Sequence, residues 1–177
     1  MMKLMSSPLS PYGRKAKITA YLKGVDSKIE VLLADTNKPV NDELRRQNPL
    51  SKIPVLILEN GQSIYDSAVI CEYLDSIGTG PTLFPKAGPE RWTVLTNGAL
   101  GDGIVDAAIL MVYESRFRPE SIRHQPWVDR QQTKIDGALA ALEASPPAFA
   151  GTPDYGTITL AVALGYLDFR HEGKWRA

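Results

Sequence analysis

The chain has 177 residues, with 20 Lys+Arg balanced by 20 Asp+Glu, and only two His and one Cys. That length suits one large domain or two small ones, and the zero net charge argues against a nucleic-acid-binding surface or a polybasic membrane anchor. One Cys excludes a disulfide framework and a cysteine-rich zinc site; with no unbroken apolar run near the roughly 18 to 20 residues of a membrane span and no signal-length apolar stretch, a cytoplasmic, reducing setting is expected.

The first half alternates strand-like and helix-like patterns. Residues 3–6 read as a short strand and 7–11 as a Ser/Pro turn. Residues 11–23 read as a helix, with Pro11 suited to its first position and Gly24 to its stop. Residues 28–33 alternate, with Ile29, Val31 and Leu33 on one face of a strand. A short helix or irregular turn follows at 40–47. Residues 53–58 form a nearly continuous apolar run, as in a strand buried on both faces. Glu59-Asn60-Gly61 makes a tight turn into a returning strand at 62–65. Residues 66–77 form a helix with Val69, Ile70, Tyr73, Leu74 and Ile77 on one stripe. The order β-α-β-α-β-β-α predicts a small mixed sheet with helices on its faces, its first two strands parallel.

The segment GTGPTLFPKAGP, residues 78–89, carries the punctuation of a linker. Beyond it only helical patterns appear. A long helix is expected at 89–116, with Trp92, Leu95, Ala99, Leu100, Ile104, Ala108, Ile109, Val112 and Tyr113 on a broad apolar face. A second helix is expected at 119–144, bent or restarted near Pro126. A third is expected at 154–168, with Asp154 as N-cap. The organisation is therefore 1–78, a linker at 79–88, and an all-helical unit at 89–177.

Three places carry candidate chemistry. Pro54 opens a run that otherwise reads as a central strand, where proline loses a ladder bond. A trans proline starting the strand is one solution. A cis Ile53-Pro54 bond is the other, and it turns the Ile53 backbone outward as a docking edge for an extended peptide. Ser10 falls at the N-cap of the first helix. It either serves only as a cap, worth about 1 kcal/mol, or also uses its hydroxyl at a helix N-terminus that favours anions. Asp66-Ser67 opens a second helix, with the same two readings and with Asp66 available to an ammonium group. Cys71 reads as a buried thiol, and Tyr65, Trp92 and Tyr113 read as core residues.

Three segments together resemble the glutathione transferase family. They are Ser7-Pro8-Leu9-Ser10-Pro11-Tyr12-Gly13-Arg14-Lys15, Asn48-Pro49-Leu50-Ser51-Lys52-Ile53-Pro54-Val55-Leu56 and Ile64-Tyr65-Asp66-Ser67-Ala68-Val69-Ile70, in the family's order and spacing. The resemblance implies a thioredoxin-like N-terminal domain, a helical-bundle C-terminal domain, a homodimer and a cleft between the domains. It implies a transferase that activates the glutathione thiol as thiolate for attack on a small apolar electrophile. The alternative is a binding module of the same fold without turnover. Glutathione is then a co-substrate, and no cofactor or metal is implied.

Carried over by position, Ser10 resembles the residue at the glutathione sulfur, with Ser7 and then Tyr12 as rival donors. Ile53, before Pro54, would pair its backbone with the cysteinyl unit, and Asp66 and Ser67 would hold the γ-glutamyl group. Lys38 and Lys52 would reach the glycyl end. Trp92, Ala107, Leu110, Met111 and Tyr113 are candidates to line the electrophile's pocket. Because Ser10 stands where some branches have Cys, disulfide exchange through an enzyme thiol is not expected. The core helix of the second half carries Asp154 and Thr157 in the reverse of the family's order, so its reciprocal capping box is expected to be lost or altered. Family members commonly continue for another helix past Trp175-Arg176, which this sequence does not contain.

Overall fold

Met2–Ser6 forms strand β1, whose side chains divide between the two sheet faces: Met2 and Leu4 join one core and Met5 the other. The computed structural model describes residues 1–35, 41–149 and 151–176. After β1 come α1 (Pro11–Leu22), β2 (Ile29–Leu33), α2 (Asp42–Gln47), β3 (Val55–Ile57), β4 (Ser63–Ile64) and α3 (Ser67–Ile77). The sheet order is β2-β1-β3-β4. β1 pairs parallel with β2 and antiparallel with β3, and β3 pairs antiparallel with β4.

One face of this sheet packs Met2, Leu4 and Leu56 against Ala16 and Ala20 of α1 and Ile70 and Leu74 of α3. The other packs Met5, Ala34 and Val55 against Leu44 of α2. Helix α1 ends as its sequence demands. Gly24 takes φ +64°, its N–H bonds to Tyr21 O at 3.0 Å, and the Val25 N–H bonds to Ala20 O at 3.0 Å. Both bonds close carbonyls that a helix end leaves open, and the left-handed turn suits glycine.

Several expectations need correction. Strand β2 forms, but only Ile29 of its alternating face packs; Val31 and Leu33 are exposed because β2 is an edge strand. The α3 stripe divides as well. Ile70 and Leu74 are buried, whereas Val69 and Ile77 face solvent, because the buried side also takes in Ser67 and Cys71.

The chain divides into two compact units, Met1–Pro85 and Lys86–Ala177. Most of the segment read as a linker docks on the first unit. Lys23 is buried, pairs with Asp75 at 3.0 Å and donates to the carbonyls of Gly80 and Pro81 at 2.8 and 2.7 Å. Asp75 also accepts the N–H groups of Leu83 and Phe84, whose side chains are buried.

The second unit holds α4 (Pro89–Phe117), α5 (Gln125–Ala144) and α6 (Tyr155–Arg170). Pro126 sits in the first turn of α5, so that helix restarts there after a short 3₁₀ turn at Glu120–Ile122. The buried side of α4 keeps Ile104 and Ala108 of the expected apolar face but is otherwise made of other residues. It runs through Val94, Gly98, Gly101, Ile104, Val105, Ala107 and Ala108, while Trp92 is exposed. Small residues are needed because α6 lies so close: a Cβ on Gly101 would stand 2.9 Å from the Thr159 backbone.

Among the described helices, α4 alone is long and apolar enough to cross a bilayer by length and composition, at a mean hydropathy of 1.3. Asp102 and Asp106 interrupt it, which is why no unbroken apolar run shows in the sequence. It packs against both α5 and α6. The capping box of α6 is complete, contrary to expectation. Asp154 accepts the Thr157 N–H at 2.7 Å, and Thr157 Oγ1 accepts the Asp154 N–H at 2.9 Å. Exchanging Asp and Thr preserves the reciprocity, because each position needs only a short side-chain acceptor.

Candidate functional site

The sheet topology decides which loops meet. β1 runs antiparallel to β3, with Met5 opposite Val55, and β4 runs antiparallel to β3, with Leu56 opposite Ile64. The chain therefore leaves β1, enters β3 and leaves β4 at one end of the sheet. Residues 7–10, 52–54 and 65–67 all come to that end. The N-termini of α1 and α3 come with them, on two helices that pack together.

Ser10 is the N-cap of α1. Its Oγ accepts the Gly13 N–H at 3.1 Å. That contact uses a lone pair and leaves the hydroxyl proton free to donate, so capping and donation are compatible at one atom. The rivals differ. Ser7 Oγ accepts the Leu9 N–H at 3.3 Å, within the loop. Tyr12 is half-buried on α1 and already engaged. Ser6, which the sequence reading passed over, is fully buried, and a Cβ on Gly13 would collide with its hydroxyl. Gly13 thus lets α1 start directly against β1; a glycine three residues after an N-cap serine was its signal.

The Ile53–Pro54 peptide is cis, one of the two alternatives left open by the sequence. Pro54 is buried, and the β1–β3 ladder begins at Val55, so the Ile53 N–H and C=O stand outside it. Asn48 shapes the approach. It is buried, donates from Nδ2 to Lys52 O at 2.9 Å, and accepts the Leu50 N–H at 3.0 Å. The sequence did not reveal that clamp. The Lys52 side chain is exposed, and Lys38 lies outside the described residues.

Asp66 is the N-cap of α3, with Oδ1 accepting the Ala68 N–H at 2.7 Å. Its carboxylate is exposed, so Oδ2 remains for an ammonium group. Ser67, the first helical residue, is buried. The Tyr65–Asp66 peptide is also cis, and a non-proline cis bond has no signal in a sequence. Tyr65 and Tyr113 are 37% and 43% exposed and Trp92 67%, which corrects their reading as core. Of the other apolar candidates, Ala107 is core and Leu110 is exposed. Among the described residues no group of three or more His, Cys, Asp or Glu could hold a metal ion.

Residues 9–77 match the family described as Glutathione S-transferase, N-terminal domain, and residues 125–177 match Glutathione S-transferase, C-terminal domain. An uncharacterized GST-like protein of Escherichia coli (strain K12), YibF, is 33% identical over 172 residues, which is 96% of this chain and 83% of that protein. The chain belongs to the glutathione S-transferase family. Solved structures agree. A glutathione transferase family member from Pseudomonas fluorescens Pf-5, with bound glutathione, is 42% identical at a TM-score of 0.94, over 99% of this chain and 87% of that one. A second structure from that organism, with bound S-(propanoic acid)-glutathione, is 40% identical at a TM-score of 0.87, over 97% and 85%. The family accounts for the four-stranded mixed sheet with its helices and for the helical unit that follows.

Proposed function

We propose that the protein is a glutathione transferase in which Ser10 activates the bound thiol for attack on a small electrophile. The observation that carries this reading is the Ser10 hydroxyl. It is held by the Gly13 N–H at the start of α1 and is left with a proton to donate. A free thiol ionises near pH 8.5, so only a few per cent is thiolate at pH 7. Lowering that pKa by about two units makes most bound thiol reactive and corresponds to about 2.7 kcal/mol of preference for the thiolate. A hydroxyl donor and the positive end of a helix act in that direction.

The rest of the sheet end suits the tripeptide. The Ile53 N–H and C=O can pair with its cysteinyl unit as a strand would. Asp66 Oδ2 suits the γ-glutamyl ammonium, and Ser67 with the first turn of α3 suits its carboxylate. The thiolate sulfur then forms a bond to an electrophilic carbon. A leaving group departs with its electron pair or, on an activated alkene, the resulting carbanion takes a proton. Glutathione and its S-(propanoic acid) thioether in the two Pseudomonas structures support this class of chemistry. The test is ultraviolet difference titration of bound glutathione. Ser10→Ala is expected to return the thiol pKa to near its free value while glutathione still binds. An unshifted thiol in the unaltered protein would favour the binding-module reading; a shifted thiol that survives Ser10→Ala moves the role to Ser7.

We further propose a cytoplasmic homodimer, joined partly through the exposed side of α3. Tyr65, Val69 and Ile77 present exposed apolar surface there. Light scattering at micromolar concentration is expected to return twice the chain mass, and Val69→Asp to shift the protein toward monomer. A monomer at every concentration would end this reading.

A further inference from the structure

Strand β1 ends at Ser6, and a short loop leads to Ser10 at the start of α1. Within that loop Ser7 O accepts the Ser10 N–H at 3.1 Å. Ser10 is therefore held from two sides. Its backbone is tied to the loop through Ser7, and its Oγ is tied to the helix by the Gly13 N–H at 3.1 Å.

The helix side depends on a close approach. Gly13 lies buried in the first turn of α1, although glycine is among the poorest helix formers. Its φ is not positive, so backbone conformation does not call for glycine there. Space does. A Cβ on Gly13 would collide with Ser6 Oγ and stand 3.3 Å from Ser6 Cβ and 3.5 Å from Ser10 Cβ. Ser6 has little room to retreat. It is fully buried, it pairs with β2, and its carbonyl accepts the Ala34 N–H at 2.9 Å.

On the reading that Ser10 activates the thiol, we propose that the contact of Gly13 with Ser6 sets how strongly the Ser10 hydroxyl donates, which makes Gly13 a positioning residue. Donation by the Gly13 N–H polarises the hydroxyl that it reaches, and the hydroxyl then donates its own proton more strongly onward. Seated on β1, that N–H has a fixed place relative to the loop that follows the strand. A methyl group at residue 13 pushes the first turn of α1 off β1, while Ser7 O keeps hold of the Ser10 N–H. The residue 13 N–H and Ser10 Oγ then part, and the sulfur loses part of its stabilisation. Ile53, Asp66 and Ser67 stand on other segments and keep their places. Docking of the tripeptide and activation of its thiol thus separate.

The test is ultraviolet difference titration of bound glutathione on the full chain. Gly13→Ala is expected to move the thiol titration toward that of free glutathione, with about a tenfold loss of the preference for thiolate. S-methylglutathione, which has no thiol to ionise, is expected to bind both proteins alike. Combining Ser6→Ala with Gly13→Ala removes the colliding hydroxyl and leaves a 3.3 Å contact that a small shift relieves. This double variant is expected to regain the unaltered titration, and it serves if Gly13→Ala alone does not fold. A titration untouched by Gly13→Ala, S-methylglutathione weakened as much as the thiolate, or a double variant that still titrates like free glutathione would each overturn the proposal and leave the Ser10 reading in place. A thiol that is unshifted in the unaltered protein removes both.

Discussion

At the scale of single residues, one atom often serves two purposes. Ser10 caps α1 through a lone pair and keeps its proton, and Asp66 caps α3 through one oxygen and keeps the other. The capping role therefore does not compete with the chemical one. His171 shows how one side chain can tie stability to pH. Burial pushes its pKa below the ordinary 6.5, and this outweighs the opposing hydrogen bond to Ala108 O, with Lys174 and Arg170 adding to the fall. Nε2 lies 3.2 Å from that carbonyl, which only accepts, so Nε2 carries the proton. The folded chain then binds fewer protons than the unfolded one. This contribution to stability is complete above about pH 6.5 and is lost as pH falls through the lower folded value. Thermal unfolding from pH 7.5 to pH 5 is expected to show that decline, and His171→Gln to flatten it. Equal slopes in both proteins would remove His171 from the account.

At the scale of elements, the contact of α4 with α6 depends on absent side chains. Gly101 faces the Thr159 backbone, whereas a Cβ on Gly103 would meet nothing within 4 Å. The same substitution should thus act in opposite directions two residues apart. Gly101→Ala is expected to destabilise by roughly 1–3 kcal/mol through overpacking. Gly103→Ala is expected to stabilise by somewhat under about 1 kcal/mol through helix propensity. Urea unfolding of the two variants measures both, and a shared sign would show that helix packing is not the deciding term. The complete Asp154–Thr157 box belongs to this scale too, since it starts the helix that those glycines receive.

At the scale of the whole molecule, the chain is two units, and each keeps its own lock. In the first, the buried Lys23–Asp75 pair ties the end of α1 to α3 and to residues 80–84. Removing one member of a buried pair leaves the other charge poorly matched, at a cost of about 3 kcal/mol. Lys23→Met is expected to lower stability by that order and to open residues 78–85 to proteases. Cleavage elsewhere, with this segment still protected, would mean that Asp75 alone holds it. In the second unit, Asp168 gathers Trp175 and Arg176 at 2.8 and 2.9 Å onto α6.

Local rules in the sequence determined much of this protein. Pro11 and Gly24 bounded α1, Asn60-Gly61 turned β3 into β4, and Ser10, Asp66 and Asp154 marked three helix starts, because caps and turns depend on a few neighbouring atoms. The spacing of the three site segments, seen together, also revealed the family. Packing was not legible. Which side of α3 is buried, why Gly98 and Gly101 rather than large apolar residues face α6, and that Val31 and Leu33 stay exposed were decided only when distant elements met. The same holds for the site, where strand pairing brings residues 10, 53 and 66 to one end of the sheet. Periodicity records that a segment has an apolar side; it does not record what will cover that side, and the covering surface comes from elsewhere in the chain.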